Sequence, residues 1–284
     1  MTPRASRLVV VLGLVVCCGA APWTSSPRHS LAPSARQAKV PSLTPGEMRD
    51  FLLTAKVIKH KESRKGTTHP TQLTLSNGTL THDAVFSSVQ EAVPVMRFAS
   101  GRTELDFVDS YAYNVAAYGV AELVGLDDMM PVTVEAKWNG RKGSLAWMID
   151  TVMDEQARLA KNIEPPDREA WNRQMHRMRV FAQLVADTDR NLGNVLIDHD
   201  WKLWMIDFTR AFRHTRTLLT PGDLQQCDRR LLAHLRELTP EAVEAKTKPY
   251  IGRAEIEPLM VRRDLIVKTF EKLIAERGEG RVLY

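Results

Sequence analysis

Asp187-Thr188-Asp189-Arg190-Asn191-Leu192-Gly193-Asn194-Val195-Leu196-Ile197-Asp198, then Trp204-Met205-Ile206-Asp207-Phe208, is the densest set of chemically capable side chains in the sequence. Asp189 and Asn194 stand five positions apart, and Asp207 follows Asn194 by thirteen. The apolar runs Val195–Ile197 and Leu203–Ile206 enclose His199-Asp200, which reads as two short strands joined by a turn. Such a hairpin would set Asn194 and Asp207 side by side at its open end, above a cleft. An amide oxygen and a carboxylate suit Mg²⁺ or Mn²⁺, which take one or two protein carboxylates together with substrate phosphates. Asp189, on the same loop, would face a substrate hydroxyl, whose proton a carboxylate can accept. Asp, Asn and Gly also populate ordinary turns, so the loop gains its meaning only from the hairpin that follows it.

Upstream of this segment, Trp171, Met175, Met178, Phe181, Leu184 and Val185 recur at helical spacing, which predicts a helix from about Arg168 to Ala186. Downstream, helices are expected over Asp223–Arg236 and Glu257–Arg277. The first half reads differently. Thr44-Pro45-Gly46-Glu47 looks like a capped helix start. Thr71–Leu75 and Leu80–Val85 flank Asn77-Gly78, and Pro131–Trp138 and Lys142–Ile149 flank Asn139-Gly140; both are hairpin signals. Asn77-Gly78-Thr79 also matches a glycosylation sequon, but the turn accounts for it. Asp109–Val124 reads as a helix closed by Gly125. The order predicts an α+β protein with a β-rich lobe over residues 44–150 and a mainly helical lobe over residues 151–284.

The N-terminus reads as a targeting segment. Arg4 and Arg7 precede the apolar run Leu8–Cys18, and Gly19, Ala20 and Ala21 follow. That pattern describes an export signal over residues 1–21, cleaved near Ala20 or Ala21. An uncleaved membrane anchor and lipoprotein processing at Cys17 or Cys18 are the alternatives. Residues 22–43, rich in Ser, Pro and Ala, read as a flexible linker. With Cys17 and Cys18 in the signal, Cys227 has no partner for an internal disulfide, and it reads as a packed helix residue.

Across 284 residues, 44% hydrophobic and 26% charged side chains are ordinary for a soluble globular protein. The formal net charge is +5, two units of it from Arg4 and Arg7. No basic patch interleaves with aromatics, so the charge pattern gives no reason to expect a nucleic-acid partner.

The Asp189-Arg190-…-Asn194 loop with Asp207-Phe208 resembles the D-R-x-x-x-N loop of the divergent protein-kinase-like superfamily. Phosphoinositide kinases, HipA-type kinases and secretory-pathway casein and xylose kinases carry that form. The wider chain is similar to an uncharacterised bacterial kinase-like family through Asn114-Val-Ala-Ala-Tyr118, Gly125-Leu-Asp127, Pro131-Val-Thr-Val134, Gly143-Ser-Leu145 and Ile206-Asp-Phe-Thr-Arg-Ala-Phe212. The resemblance spans about residues 45–280. It implies a two-lobe protein-kinase-like fold and an ATP- and metal-dependent phosphotransferase. In that reading Asp189 and Arg190 are catalytic, Asn194 and Asp207 hold Mg²⁺ or Mn²⁺, and the acceptor is a hydroxyl of a protein, sugar or lipid.

The phosphate-covering loop of that pattern would be Lys65-Gly66-Thr67-Thr68, with Gly66, Thr67 and Thr68 as nucleotide contacts. Related kinases place a lysine on a strand and a glutamate on a helix. Here a serine of the His82–Ser88 segment and Asn114 occupy those positions, and Arg97 is the candidate substitute cation. Glu104, Asp106 and Asp109 could also compensate. Arg210 and Arg213 could steer an anionic substrate or pair with acidic neighbours, and Trp147 could stack on adenine. Two further readings remain open: a kinase-fold binding module with impaired catalysis, and nucleotidyl transfer to protein.

Overall fold

Thr44 begins helix α1 (Pro45–Thr54) with a capping box. Its hydroxyl accepts the Glu47 N–H at 3.2 Å, and the Glu47 carboxylate accepts the Thr44 N–H at 2.7 Å. The structure is a computed structural model that describes residues 43–62, 70–98, 101 and 103–284. The expected export signal and nearly all of the linker lie outside the described residues, as do Gly66, Thr67 and Thr68. Among the described residues no helix is long and apolar enough to cross a membrane.

Strands β1 (Lys56–Glu62), β2 (Thr71–Ser76) and β3 (Thr81–Ser87) follow, antiparallel in sequence order. Asn77 and Gly78 turn the chain between β2 and β3: Gly78 has φ +91°, and Asn77 Oδ1 accepts the N–H groups of Thr79 and Leu80. Strands β4 (Gln90–Arg97) and β5 (Thr103–Ser110) form a separate two-stranded ribbon. Helix α2 (Tyr111–Val124) comes next and ends at Gly125 in the left-handed conformation. Strands β6 (Thr133–Trp138) and β7 (Arg141–Trp147) complete a five-stranded sheet of order β1-β2-β3-β7-β6. Their turn at Asn139-Gly140 has φ +48° and +78°, the twist that a two-residue hairpin favours.

One expectation needs correction in this half. Asp109 and Ser110 belong to β5, not to the helix. Ser110 is the cap, its hydroxyl accepting the Ala112 N–H at 3.2 Å, so the helix starts at Tyr111. Strand β1, for which the sequence shows no pattern, is exposed at every position, so it carries no alternation that periodicity could detect.

The second half holds β8 (Thr151–Asp154), α3 (Glu155–Ala160), α4 (Arg168–Val185), β9 (Val195–Asp198) and β10 (Leu203–Met205). Helices α5 (Arg229–Glu237), α6 (Pro240–Thr247), α7 (Arg253–Arg277) and α8 (Glu279–Val282) follow. The predicted helix α4 forms as expected, and β9 and β10 pair within a three-stranded sheet of order β10-β9-β8. The helix expected from Asp223 instead starts at Arg229, because Asp228 caps it by accepting the Leu231 N–H at 2.9 Å. Helix α7 begins ahead of Glu257, where Glu255 accepts the Gly252 N–H at 2.9 Å. Cys227 is not helical. It forms an isolated bridge with Leu283, fully buried, and burial pushes its thiol up to about 12.

The core runs through both halves. Helix α2 packs against β6 and β7 on one side and against α5 and α6 on the other. Its small residues allow this: a Cβ on Gly119 would lie 3.3 Å from the Lys246 side chain on α6. Val115, Ala116, Ala117, Val120, Ala121 and Val124 are buried between these layers. This sandwiching is what holds α2 beside Phe208, whose N–H its Asn114 accepts.

Candidate active site

The β9/β10 hairpin does to Asn194 and Asp207 what the sequence predicts. Val195 pairs with Met205, and beyond them the Ile206 N–H donates to Asn194 O at 3.1 Å. Asp207 therefore follows at the open end of the hairpin. Its backbone has φ +58°, a left-handed conformation uncommon outside glycine.

Arg190 fastens this end together. Its guanidinium donates to Asn194 O at 2.9 Å, Ile206 O at 2.8 Å and Asp207 O at 3.0 Å, and it ion-pairs with Asp187 at 2.6 Å. The same group lies 4.2 Å from the Phe208 ring centroid. Every donor direction of the planar fork is committed to the loop itself, so Arg190 positions its neighbours and is not aimed at a reactant. Asp187, quoted in the motif but given no role there, also accepts the Asp189 N–H at 3.0 Å. It is the buried base on which the loop rests.

Asn194 donates from its amide nitrogen to Asp189 O at 3.1 Å. That bond commits the nitrogen and leaves the amide oxygen as the end that could meet a cation. Asp207 Oδ1 accepts the Thr209 hydroxyl at 2.9 Å, leaving Oδ2. Two oxygen donors at one hairpin end fit a hard divalent ion such as Mg²⁺ or Mn²⁺. The Asp189 side chain is 42% exposed, and Arg210 lies 3.6 Å from its carboxylate. Burial raises the Asp189 carboxyl above the usual aspartate range; Arg210 opposes that shift, and Asp207 and Asp187 add to it.

Above this end lies a cavity of about 240 Å³ between the two halves of the chain. Its wall combines apolar Val85, Met130, Ala146, Trp147, Ile149 and Met205 with polar Ser87, Asn114, Thr133, Ser144 and Asp207. An apolar slot with a few polar groups at one end suits a planar base carrying a polar tail. Within the His82–Ser88 segment the serine that lines it is Ser87, paired in register with Ser144, which lines it as well. Trp147 lines the cavity too, but its ring already stacks on His82, with centroids 3.7 Å apart.

Asn114 lines the cavity and is held at both ends of its amide. Its Oδ1 accepts the Phe208 N–H at 2.7 Å, and its Nδ2 donates to Ser144 Oγ at 3.2 Å. It thus binds the residue after Asp207 to α2 and β7 without any ion pair. Arg97 is not brought to the cavity. It is exposed on β4, opposite Thr103, far along a ribbon that contributes no lining residue.

Arg210 and Arg213 both pair with Glu104 on β5, so of the two readings offered for them pairing is the one realised. Arg213 also donates to Asp106 O at 3.1 Å, and Arg210 lies 5.0 Å from the Phe107 ring centroid. Glu104 was legible only as a nearby acid. Its contact with residues more than a hundred positions away has no local signature.

No family model and no curated protein matches the chain. Solved structures do. A structure of hydra Fam20 with sugar is 12% identical over 84% of this chain and 92% of that one, with a TM-score of 0.61. The Golgi casein kinase with Mn/ADP bound is 12% identical over 84% and 78%, with a TM-score of 0.58. The Helicobacter pylori proinflammatory kinase CtkA is 10% identical over 80% and 98%, with a TM-score of 0.50. The fold is protein-kinase-like. In kinase terms the strand-rich half is the small lobe and the helical half the large lobe, with the cavity in the cleft between them. Asp207 lines that cleft, and Arg190 and Asn194 connect it to the loop that carries Asp189.

Proposed function

We propose that the chain is a kinase-type phosphotransferase, moving the terminal phosphoryl group of ATP to a hydroxyl of a protein, sugar or lipid. The observation that carries this reading is that Arg190 ties the backbones of Asn194 and Asp207 together and Asn194 holds Asp189, with Asp207 lining an apolar cleft. A divalent cation at Asn194 and Asp207 would neutralise charge on the phosphates. Asp189 orients the acceptor hydroxyl and takes its proton as the new P–O bond forms and the bond to ADP breaks. Its raised carboxyl makes it a better proton acceptor than an ordinary aspartate. Adenine would occupy the apolar cavity. The solved Golgi kinase with Mn/ADP supports this choice of donor and metal by fold likeness alone.

In this reading residues 44–150 act as the small lobe and residues 151–284 as the large one. The N-terminal pattern supports export, with a retained anchor as the alternative.

One observation favours a second reading, a binding module with impaired catalysis: Ser87 and Asn114 face the cleft where related kinases place an ion pair. Thermal unfolding with ATP and Mg²⁺ or Mn²⁺ separates the two stages of the question. A metal-dependent rise in midpoint that disappears in Asp207→Ala supports the nucleotide site, since a ligand of the native state stabilises it by mass action. Phosphate transfer to a hydroxyl-rich acceptor panel, lost in Asp189→Asn, then decides for catalysis. Nucleotide binding without transfer to any acceptor, or to the protein itself, leaves the binding module.

A further inference from the structure

The segment after Asp207 is pinned to the loop that carries Asp189. Arg210 O accepts the Thr188 N–H at 3.4 Å and the Thr188 hydroxyl at 3.2 Å, so the main chain of Arg210 is fixed beside the neighbour of Asp189. From there its guanidinium has two carboxylates in reach. It pairs with Glu104 on β5 at 2.5 Å and lies 3.6 Å from Asp189, too far for a hydrogen bond. Its Nε is buried without a partner. The guanidinium is thus shared between the two lobes, and the small lobe holds it closer.

The small-lobe side of that division is a built seat. The Arg210 guanidinium lies 5.0 Å from the Phe107 ring centroid and 5.4 Å from that of Phe98. Glu104 and Arg210 are 13% and 11% exposed, so solvent and salt screen their attraction little. Glu104 also pairs with Arg213, which the ribbon keeps through Asp106 O at 3.1 Å. The Asp189 side chain, in contrast, is 42% exposed, and water competes for it. The chemistry of transfer needs it that way. A guanidinium closed on Asp189 as a two-pronged fork would occupy the lone pairs that must take the acceptor's proton.

We propose that Glu104 is a positioning residue for phosphoryl transfer: by seating the Arg210 guanidinium on the β4/β5 ribbon, it keeps the Asp189 carboxylate open to the acceptor hydroxyl. The inference rests on the kinase-type reading of the site. Glu104 touches no reactant and acts through Arg210. Because Thr188 fixes the Arg210 main chain, loss of Glu104 frees only the side chain, and Asp189 is already within ion-pair distance of it. Asp109, whose buried carboxyl also feels Arg210, is the other place the side chain could turn. The role gives the ribbon a part in transfer although it contributes no residue to the cavity wall.

The test is turnover of ATP with Mn²⁺ by the full chain, read as phosphate passed to water or to the acceptor panel. Wild type is compared with Glu104→Gln, Glu104→Asp, Arg210→Gln and the double variant Glu104→Gln/Arg210→Gln. Glu104→Gln is expected to lower kcat about tenfold or more, with KM for ATP and affinity for Mn²⁺ and ADP unchanged. Glu104→Asp keeps the pair and should recover most of the rate, which also covers the case that the glutamine variant fails to fold. The decisive comparison is the double variant. If Glu104 acts by restraining Arg210, removing Arg210 as well restores kcat to that of Arg210→Gln alone. Losses that multiply, or a Glu104→Gln enzyme that turns over like wild type, overturn the inference and leave Glu104 as a staple of the ribbon. No turnover by wild type removes the kinase-type reading. The seat itself is then decided by urea unfolding, through the coupling between Arg210→Gln and Asp189→Asn measured with and without Glu104→Gln. A coupling that grows when Glu104 is lost supports the seat; an unchanged one, as when Arg210 turns to Asp109 instead, overturns it.

Discussion

The side chain of Asn114 accepts the backbone N–H of Phe208 at 2.7 Å, joining α2 to the residue that follows Asp207 across 94 positions of sequence. The same amide donates to Ser144 on β7 at 3.2 Å. A kinase-like fold ordinarily ties this helix to the sheet of the small lobe by a charged pair. Here a neutral amide makes the connection. Because the bond goes to main chain, it constrains the conformation at Asp207 directly and does not depend on pH.

Asn114→Ala removes the acceptor and leaves the Phe208 N–H without a partner, so a loss of about 1–3 kcal/mol in unfolding free energy is expected. Asn114→Asp keeps an oxygen for Phe208 and should lose less. Urea unfolding of the two variants measures the difference. Equal losses would mean that the Phe208 bond contributes nothing.

Arg190 and Asp187 form a buried ion pair with side-chain exposures of 9% and 0%. Arg190→Met strands the Asp187 carboxylate and frees three carbonyls, so the cost should reach about 3–5 kcal/mol. Arg190→Lys keeps the charge but not the fork, and it should lower nucleotide and Mn²⁺ affinity even where the protein still folds. Calorimetric titration of the lysine variant with Mn²⁺ and ADP checks this; wild-type affinity would show that the hairpin end needs no such fastening.

The raised carboxyl of Asp189 has two pH consequences of known sign. Its folded value lies above its unfolded one, so the native state holds the proton more tightly. Its contribution to stability is fully present below the unfolded value and is lost as pH rises through the folded one. Asp189→Asn should therefore gain stability relative to wild type as pH rises through that window, and show no such gain below it. Catalysis runs the other way, since only the ionised form accepts a proton. The acid limb of kcat/KM should fall at a pH above that of an unshifted aspartate. Denaturant midpoints of both proteins across the acid range, with the rate profile of wild type, measure both limbs.

Gly143 sits on β7 where a Cβ would lie 2.4 Å from Ser87 O and 2.6 Å from the Phe86 ring. Gly143→Ala must push β3 and β7 apart beside the cleft, at about 1–3 kcal/mol. It should also weaken nucleotide binding, because Ser87 and Ser144 both line the cavity. The thermal midpoint with and without ATP reads both effects, and a variant with unchanged midpoint would show that the strands can yield without loss.

Much of the site is written in local sequence. The D-x(4)-N loop, the apolar strands around His199-Asp200 and the position of Asp207 each follow from patterns a few residues long, so the hairpin and its open end could be placed by reading alone. The Asn-Gly turns and the Thr44 cap are legible for the same reason: the interaction that stabilises each is complete within four residues. Strand β1, in contrast, has no buried side to make a pattern, and the β4/β5 ribbon is stapled by Glu104 to Arg210 and Arg213, partners on a different lobe.

The roles of single residues followed a similar division. Asp189, Asn194 and Asp207 come together because one loop and one hairpin carry them. Arg97 shows the opposite case: a positive charge in the right part of the sequence is carried away on a ribbon whose direction depends on long-range packing. Asn114 gained its place on the cavity wall only when α2 was wedged between the sheet and the large lobe. Periodicity records which face of a helix is apolar, but the partner of that helix, and hence which polar side chain reaches Phe208 or Thr209, is chosen by burial of surfaces far apart in the chain.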